Sequence, residues 1–361
     1  MKKRIVVALL LFFIVSVVSK ADTINPPSWV NNFKKYEGNP VLLPSGTGFE
    51  AMAVFNPAAI LEKGKFYMFY RAEGWGAENW PKWNERPAGW NEDKDWPGIS
   101  VIGLAISDDG INFKKMEFPV IVPEFDYENI GGCEDSRIVK IGDTFYLTYT
   151  GVGGTYTDAG VKNKISRLCM ATSKDLTNWK KHGPLFSEEW EDTRAGAIIP
   201  EKINGKYWMY FGASNIWLAH STDLINWTCD KEKDVVLRPR DGFFDEQLVE
   251  SGPPPVVTDE GTLLIYNGAD FGAPLRIGHY TVGIGEEKER FYRVGWALFS
   301  KDDPSKILAR SDKPILEPVE EFEKNGQVSN VVFSQGLVKK DNVYYLYYGG
   351  SDTYIGLAIS K

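Results

Sequence analysis

Short segments of strand-like pattern recur five times along the chain. Each unit contains an aromatic-rich segment, found at residues 66–70, 145–149, 207–211, 263–266 and 344–348. A segment rich in small residues follows each one, and most of these end in Ser before an acidic turn, as in 103–109. No segment beyond the N-terminus keeps a helical period, so the pattern predicts a repeated all-β fold.

A third feature recurs in each unit, but its fifth copy is displaced. Candidate outer strands lie at 119–121, 184–186, 235–237 and 314–316, and the fifth lies near the N-terminus at 40–42. Four strands in each of five units predict a five-bladed β-propeller, with four-stranded blades and a ring closed by an N-terminal outer strand. Closing the ring in this way removes exposed sheet edges. A β-sandwich or two β-domains is the alternative, but neither requires a displaced fifth copy.

The first residues predict a secretory signal peptide. Lys2, Lys3 and Arg4 precede the apolar run 5–18, and residues 19–21 offer small side chains at a cleavage site. The apolar run is shorter than the roughly 20 residues that span a bilayer. We therefore expect residues 1–21 to be removed, residues 22–361 to form one catalytic propeller domain, and the protein to be periplasmic or secreted.

Composition narrows the classes of partner. The formal charge is −8 and no Lys/Arg run follows the signal, so nucleic acid is not expected as a partner. Aromatic residues make up 14% of the chain, a composition that suits strands and the stacking of sugar rings. Cys133, Cys169 and Cys229 are scattered and odd in number, so we interpret them as buried free thiols. No metal or cofactor is expected, and the oligomeric state stays open.

Three acidic residues interrupt what should be inward-facing strands. Asp135, Glu201 and Glu250 each precede an aromatic segment, where burying an unpaired carboxylate costs several kcal/mol. Inner strands of all blades line one channel, so these side chains are expected to converge at its mouth. The alternative is a core salt network in which Arg137 and Lys202 neutralise the acids.

Paired carboxyl groups meet the chemical need of glycoside cleavage. One protonates the leaving oxygen, and the other acts as a nucleophile or activates water. The sequence has three His residues, none beside a nucleophile motif. We take Asp135, Glu201 and Glu250 as catalytic candidates, with Arg137 and Lys202 as candidate substrate contacts.

A Trp-rich insertion between residues 73 and 98 is a further candidate for sugar binding. It carries five Trp residues, beginning with Trp75, among Gly, Pro and Asn. These rings either stack on sugars or pack on one another to hold a long loop, and the sequence favours neither.

The ordered motifs of the chain resemble glycoside hydrolase family 130, the β-mannoside phosphorylases and mannosidases. The resemblance covers almost everything after residue 39. Its landmarks are Asn56-Pro57, Tyr70-Arg71, Glu134-Asp135-Ser136-Arg137, Pro200-Glu201-Lys202, Gly252-Pro253-Pro254-Pro255, Pro314-Ile315-Leu316 and Gly349-Gly350-Ser351-Asp352. The resemblance implies a five-bladed propeller, Asp135 as proton donor, and Asn56, Arg71 and Asp352 as sugar contacts.

The chain departs from the phosphorylase members of that family at two places. Phe211-Gly212 stands where those members carry a His-Arg pair, and Glu250-Ser251 stands where they carry Gly-Ala. A phosphate trianion needs several cationic or N–H donors, and a nearby carboxylate repels it. Glu250 or Glu201 is therefore expected to activate water.

The sequence thus predicts an inverting, exo-acting glycosidase on β-mannosides, including β-1,2-linked manno-oligosaccharides. Arg194 keeps open the alternative of a phosphorylase that releases mannose 1-phosphate. A non-catalytic carbohydrate-binding propeller, or a five-bladed arabinofuranosidase or xylosidase, are the remaining alternatives.

Overall fold

The computed structural model describes residues 25–74, 99–157, 160–190, 192–270, 275–277, 280–282 and 290–361. Within them the chain forms a five-bladed β-propeller, as the repeat predicts. The proposed signal peptide and most of the Trp-rich insertion, including Trp75, lie outside the described residues. In the described part of the chain, no helix is long and apolar enough to cross a membrane.

The blades follow one another in chain order, each an antiparallel sheet. The first strand, β1, comprises Lys34–Lys35. Blade 1 contains β2 (Ala53–Glu62), β3 (Lys65–Glu73), β4 (Val101–Ser107) and β5 (Lys114–Lys115). Blade 2 contains β6 (Gly132–Ile141), β7 (Thr144–Thr157), β8 (Gly160–Ser173) and β9 (Lys180–Pro184). Blade 3 contains β10 (Ala197–Ile198), β11 (Tyr207–Phe211), β12 (Ile216–Ser221) and β13 (Val235–Leu237).

Blade 4 has an additional short strand, and blade 5 contains both ends of the described chain. Blade 4 contains β14 (Leu248–Ser251), β15 (Val256–Val257), β16 (Thr262–Asp270), β19 (Phe291–Phe299) and β20 (Ile307–Arg310), with the small hairpin β17 (Leu275–Ile277) and β18 (Tyr280–Val282) inserted. Blade 5 contains β21 (Val332–Lys340), β22 (Val343–Gly350) and β23 (Tyr354–Ser360), completed by β1. The described helices are short, at Ser28–Asn31, Gly48–Glu50, Asp126–Glu128 and α1 (Glu321–Lys324).

The ring is closed by the N-terminal strand, but earlier in the chain than expected. β1 pairs with β23, Lys34 opposite Ile359, whereas Leu42 forms only an isolated bridge with Ile355. The predicted outer segments 119–121 and 314–316 likewise form isolated bridges. Each begins at Pro, which has no N–H for a ladder, so the outer strands β5 and β20 form from residues before it.

Apolar side chains from neighbouring blades meet to form the core. Between blades 5 and 1, Phe66 and Met68 pack with Tyr347 and Leu357, all fully buried. The Tyr347 hydroxyl also donates to the Gly110 carbonyl at 2.7 Å, across the closure. The closing interface is therefore packed like an ordinary blade contact, which stabilises the ring.

A buried acid, a Tyr and a basic side chain recur in four blades. In blade 2, Glu128 is fully buried, accepts from the Tyr149 hydroxyl at 2.7 Å and pairs with Lys181 at 2.7 Å. The corresponding trios are Glu50, Tyr70 and Lys115 in blade 1, Asp245, Tyr266 and Arg310 in blade 4, and Glu323, Tyr348 and Lys35 in blade 5. Breaking such a pair would leave a buried charge uncompensated.

The three Cys residues are free thiols, as expected. Cys133 and Cys169 are buried in blade 2, and Cys229 is half-buried. Burial raises the pKa of the Cys169 and Cys229 thiols to about 12, so both are protonated at neutral pH.

Candidate active site

The inner strands carry a backbone irregularity near one end of the channel. Asn56 and Asp135 have φ angles of 47° and 50°, each within a bulge where β2 or β6 slips against its partner strand. Asn and Asp tolerate this left-handed conformation better than most residues. The bulges bring the two side chains together, and Asn56 Nδ2 donates to Asp135 Oδ1 at 3.0 Å.

A glycine in blade 5 makes room for this contact. A Cβ atom on Gly349 would lie 2.4 Å from Asn56 Oδ1, which is closer than atoms can approach. Of the Gly349-Gly350 pair noted in the sequence, Gly349 is therefore required by packing against Asn56, whereas Gly350 lies against Phe322.

Three charged residues occupy equivalent positions in blades 2, 3 and 4. Glu134 on β6, Arg194 ahead of β10 and Glu250 on β14 each lie opposite the residue that follows the aromatic segment of the next strand. The charges act on one another, since Arg194 counteracts the raised pKa values of both Glu134 and Glu250. Converging inner strands thus gather acidic and basic groups from three blades at the same level of the channel.

Arg71 lies at the centre of the carboxylate cluster. Its guanidinium contacts Glu73 at 2.6 Å, Glu134 at 3.1 Å and Asp135 at 3.6 Å. Glu73 is almost fully buried and also accepts from the Ser100 hydroxyl at 2.9 Å. Burial disfavours the charged form of Arg71, but the surrounding carboxylates outweigh it and raise the pKa of the guanidinium.

Arg137 is buried and ties blade 2 to blade 4. It donates to the carbonyl of Ser251 at 2.7 Å and of Asp135 at 3.0 Å, and its Nη2 lies 3.5 Å from Glu250 Oε1. With its amide oriented to match its neighbours, Gln335 also accepts from this guanidinium. The side chain is 1% exposed, so the structure places this predicted substrate contact in the buried layer behind the carboxylates, paired with Glu250.

Two carboxyl groups of the cluster have strongly raised pKa values. Burial, only partly offset by Arg137 and Arg194, raises the pKa of Glu250 to about 7. Burial, only partly offset by the charge of Arg71, likewise raises the pKa of half-buried Asp352 to about 7, with Asp135 adding to the rise. Groups of this kind exchange protons near neutral pH and are typical of catalytic sites.

The structure does not bring Glu201 and Lys202 into this cluster. Both are exposed, and the Lys202 ammonium lies over the ring of Tyr207 at 4.8 Å. The prediction that Glu201 interrupts a buried inward-facing strand is therefore wrong. Glu201 follows Pro200, where the ladder with β11 has ended, so it belongs to the far end of the blade-3 inner strand.

Other residues of the cluster were not singled out from the sequence. Glu134 directly precedes Asp135 in the same motif, and Glu73 lies two residues after Arg71 on β3. Each is therefore a neighbour in sequence of a residue that was predicted for the site. Tyr292 is half-buried near Asp352, and burial raises the pKa of its hydroxyl to about 12. Nothing in the sequence around Tyr292 marks it as part of the site.

The arrangement supplies a proton donor and a proton acceptor around a common guanidinium. Arg137 contacts both acids: it donates to the backbone carbonyl of Asp135 and to the carboxylate of Glu250. Arg71 and Arg194 add positive charge on either side. Such a pair of carboxyl groups can act on an acetal bond from two sides.

Comparison with known proteins assigns the family. The family's sequence model, described as β-1,4-mannooligosaccharide phosphorylase, matches residues 93–361. The 1,2-β-oligomannan phosphorylase of Thermoanaerobacter sp. (strain X514) is 39% identical over 90% of this chain and 96% of its own length.

Solved structures agree in fold over nearly the whole length. One, whose description states that this family of mannoside phosphorylases contains glycoside hydrolases targeting β-1,2-mannosidic linkages in Candida mannan, is 33% identical with a TM-score of 0.75, covering 93% of this chain and 95% of that one. The β-1,2-mannobiose phosphorylase from Listeria innocua, in complex with β-1,2-mannobiose, is 26% identical with a TM-score of 0.71, covering 91% and 97%. On this evidence the chain belongs to glycoside hydrolase family 130.

Proposed function

We propose that this protein cleaves β-1,2-mannosidic bonds and transfers the released mannosyl group to water, with inversion at the anomeric carbon. The observation that carries the proposal is Glu250, a buried carboxylate with a pKa of about 7 at the level of Asp135 in the channel. A carboxylate at this position suits an incoming water and repels an incoming phosphate.

Asp135 is the proposed general acid. Its carboxylate is held by Asn56 at 3.0 Å and lies 3.6 Å from Arg71, so two side chains of blade 1 fix its orientation. It donates a proton to the glycosidic oxygen as the bond to the anomeric carbon breaks. The leaving sugar departs as a neutral alcohol.

Glu250 is the proposed general base. It accepts a proton from water while the water oxygen bonds to the anomeric carbon on the face opposite the leaving group. The proton gained by Glu250 and the proton lost by Asp135 balance, and exchange with solvent restores both groups. Attack from the opposite face converts a β-mannoside into α-mannose.

The substrate is proposed from the relatives. Two similar phosphorylases act on β-1,2-linked mannans by their names, and a solved relative is described with hydrolases of the same linkage. Asn56, Arg71 and Asp352 remain the proposed sugar contacts, because they line the same cluster as Asp135.

Phosphorolysis is the second candidate. The curated relatives of 34–39% identity are phosphorylases, and they favour this alternative over hydrolysis. Two arginines, Arg137 and Arg194, also lie near Glu250. Export, which we propose from the N-terminal sequence, favours hydrolysis, because a sugar phosphate made outside the cell would be lost.

The experiment is incubation of the purified protein with β-1,2-mannobiose and β-1,4-mannobiose, with and without inorganic phosphate. We expect mannose from the β-1,2-linked substrate at the same rate in both conditions. Cleavage that requires phosphate and gives mannose 1-phosphate would refute hydrolysis in favour of phosphorolysis. Binding without cleavage of any mannoside would support a non-catalytic propeller.

A further inference from the structure

Arg194 is engaged by a carboxylate two residues before it. Its Nη2 donates to both oxygens of Asp192, at 3.1 and 3.2 Å, and its Nε donates to Oδ1 at 3.3 Å. The same Nη2 lies 2.7 Å from the Ser166 hydroxyl. The guanidinium edge formed by Nε and Nη2, which would otherwise form two parallel bonds to an anion, is thus occupied.

The position of Arg194 makes this engagement relevant to catalysis. Arg194 occupies the blade-3 position equivalent to Glu134 and Glu250, and its charge acts on both. It is 30% exposed, so a small anion in solution can reach it. Of the two arginines beside the proposed base, Arg194 is therefore the more accessible to solvent, since Arg137 is buried.

We propose that Asp192 is a specificity-determining residue that occupies Arg194 and so prevents inorganic phosphate from binding beside Glu250. The inference rests on the proposed function, because it explains how water is kept as the acceptor in a family that contains phosphorylases. Specificity of this kind comes from a repulsive element as well as an attractive one.

Two effects of Asp192 act in the same direction. Its carboxylate accepts hydrogen bonds that phosphate oxygens would otherwise accept, and its negative charge repels the phosphate itself. Glu250 does the same for Arg137, which it meets at 3.5 Å. Each arginine near the acceptor position is thus matched by its own carboxylate.

The ordinary alternative is a surface ion pair without functional consequence. Asp192 is 56% exposed, and ion pairs at such positions often contribute little to stability. That alternative and ours differ in one measurable quantity, the affinity for inorganic phosphate.

The experiment measures the dissociation constant for inorganic phosphate by titration calorimetry. The proteins compared are the wild type, Asp192→Ala, the double variant Asp192→Ala with Arg194→Met, and the control Asp312→Ala. Asp312 is a matched control, because it is an exposed Asp that pairs with an arginine, Arg240, at 3.2 Å away from the cluster. Thermal melting of each variant checks that the fold is kept.

We expect Asp192→Ala to bind phosphate roughly tenfold more tightly than the wild type, because hydrogen bonds to charged groups contribute in that range. Phosphate should then also inhibit mannoside hydrolysis by this variant at lower concentrations. The control should match the wild type, and the gain should vanish in the double variant.

Equal phosphate affinity in Asp192→Ala and the wild type would overturn the inference, as would a gain that persists without Arg194. The proposed function is tested separately, by identifying the product that the wild type forms from a mannoside in the presence of inorganic phosphate. A wild type that forms mannose 1-phosphate refutes hydrolysis, whereas the affinity ratio alone decides the role of Asp192.

Discussion

Replacement of Glu250 by Gln tests the proposed base. Gln has nearly the same shape and can still accept from Arg137 Nη2, which lies 3.5 Å from Glu250 Oε1, but it takes no proton from water. General-base catalysis contributes about 10²–10⁴-fold to a rate, so kcat should fall by that factor. Glu260→Gln is the matched control, an exposed Glu of the same blade, and should keep the wild-type rate.

The pH dependence of the wild type gives the same test without a mutation. A base must be deprotonated to act, and the pKa of Glu250 is raised to about 7. Activity should therefore fall tenfold per pH unit below that value through protonation of the base, to about one hundredth of the deprotonated form's activity at pH 5. The assay is kcat/KM for β-1,2-mannobiose from pH 5 to pH 9.

Asp352 has a similar pKa, so the profile must be assigned by the variant. The acidic limb should be absent from the small residual activity of Glu250→Gln. A limb that persists in this variant would assign the titration to Asp352, whose pKa is also about 7. Wild-type activity that is unchanged between pH 5 and pH 8, or full activity in Glu250→Gln, would refute Glu250 as the base.

Three further substitutions test separate parts of the account. Arg71→Met should lower kcat/KM by about 10²-fold, because its contacts with Glu134 and Asp135 organise the acid; a wild-type value would contradict that role. Glu201→Gln should change kcat less than about twofold in the same assay, since its side chain is exposed and outside the cluster, and a large loss would restore it as a catalytic candidate. Glu128→Ala should lower the free energy of unfolding by about 3–5 kcal/mol in a denaturant titration, since it removes the buried partner of Lys181 and leaves it only the more exposed Glu124 at 3.6 Å, and a loss below 1 kcal/mol would contradict this.

Much of the fold could be predicted because its signals are local and repeated. Five aromatic segments each became the second strand of a blade, and the N-terminal segment closed the ring. The outer strands predicted at 40–42, 119–121 and 314–316 were misplaced because an apolar segment that begins at Pro looks like a strand, although Pro ends the ladder, whereas 235–237 forms β13 as predicted. Backbone hydrogen-bond pairing, which decides between neighbouring segments, leaves little trace in the hydrophobic pattern.

The candidate site was predicted in part, and Glu201 shows why. The hairpin that joins the first two strands is two residues longer in blade 3 than in blade 2. In blade 3 Ala197 pairs with Tyr210, whereas in blade 2 Arg137 pairs with Thr148. The spacing of Glu134, 11 residues before Phe145, points to Gly196 in blade 3, whereas the ladder selects Arg194; Glu201 lies only six residues before Tyr207 and fits neither. An equivalence set by register cannot be read from spacing when one hairpin is longer.

The central claim is that water accepts the mannosyl group, and one measurement tests it directly. Proton NMR can follow β-1,2-mannobiose with the enzyme in phosphate buffer during the first turnovers. The account predicts that α-mannose appears first and then mutarotates, while no phosphate ester forms. Mannose 1-phosphate as the first product would contradict it.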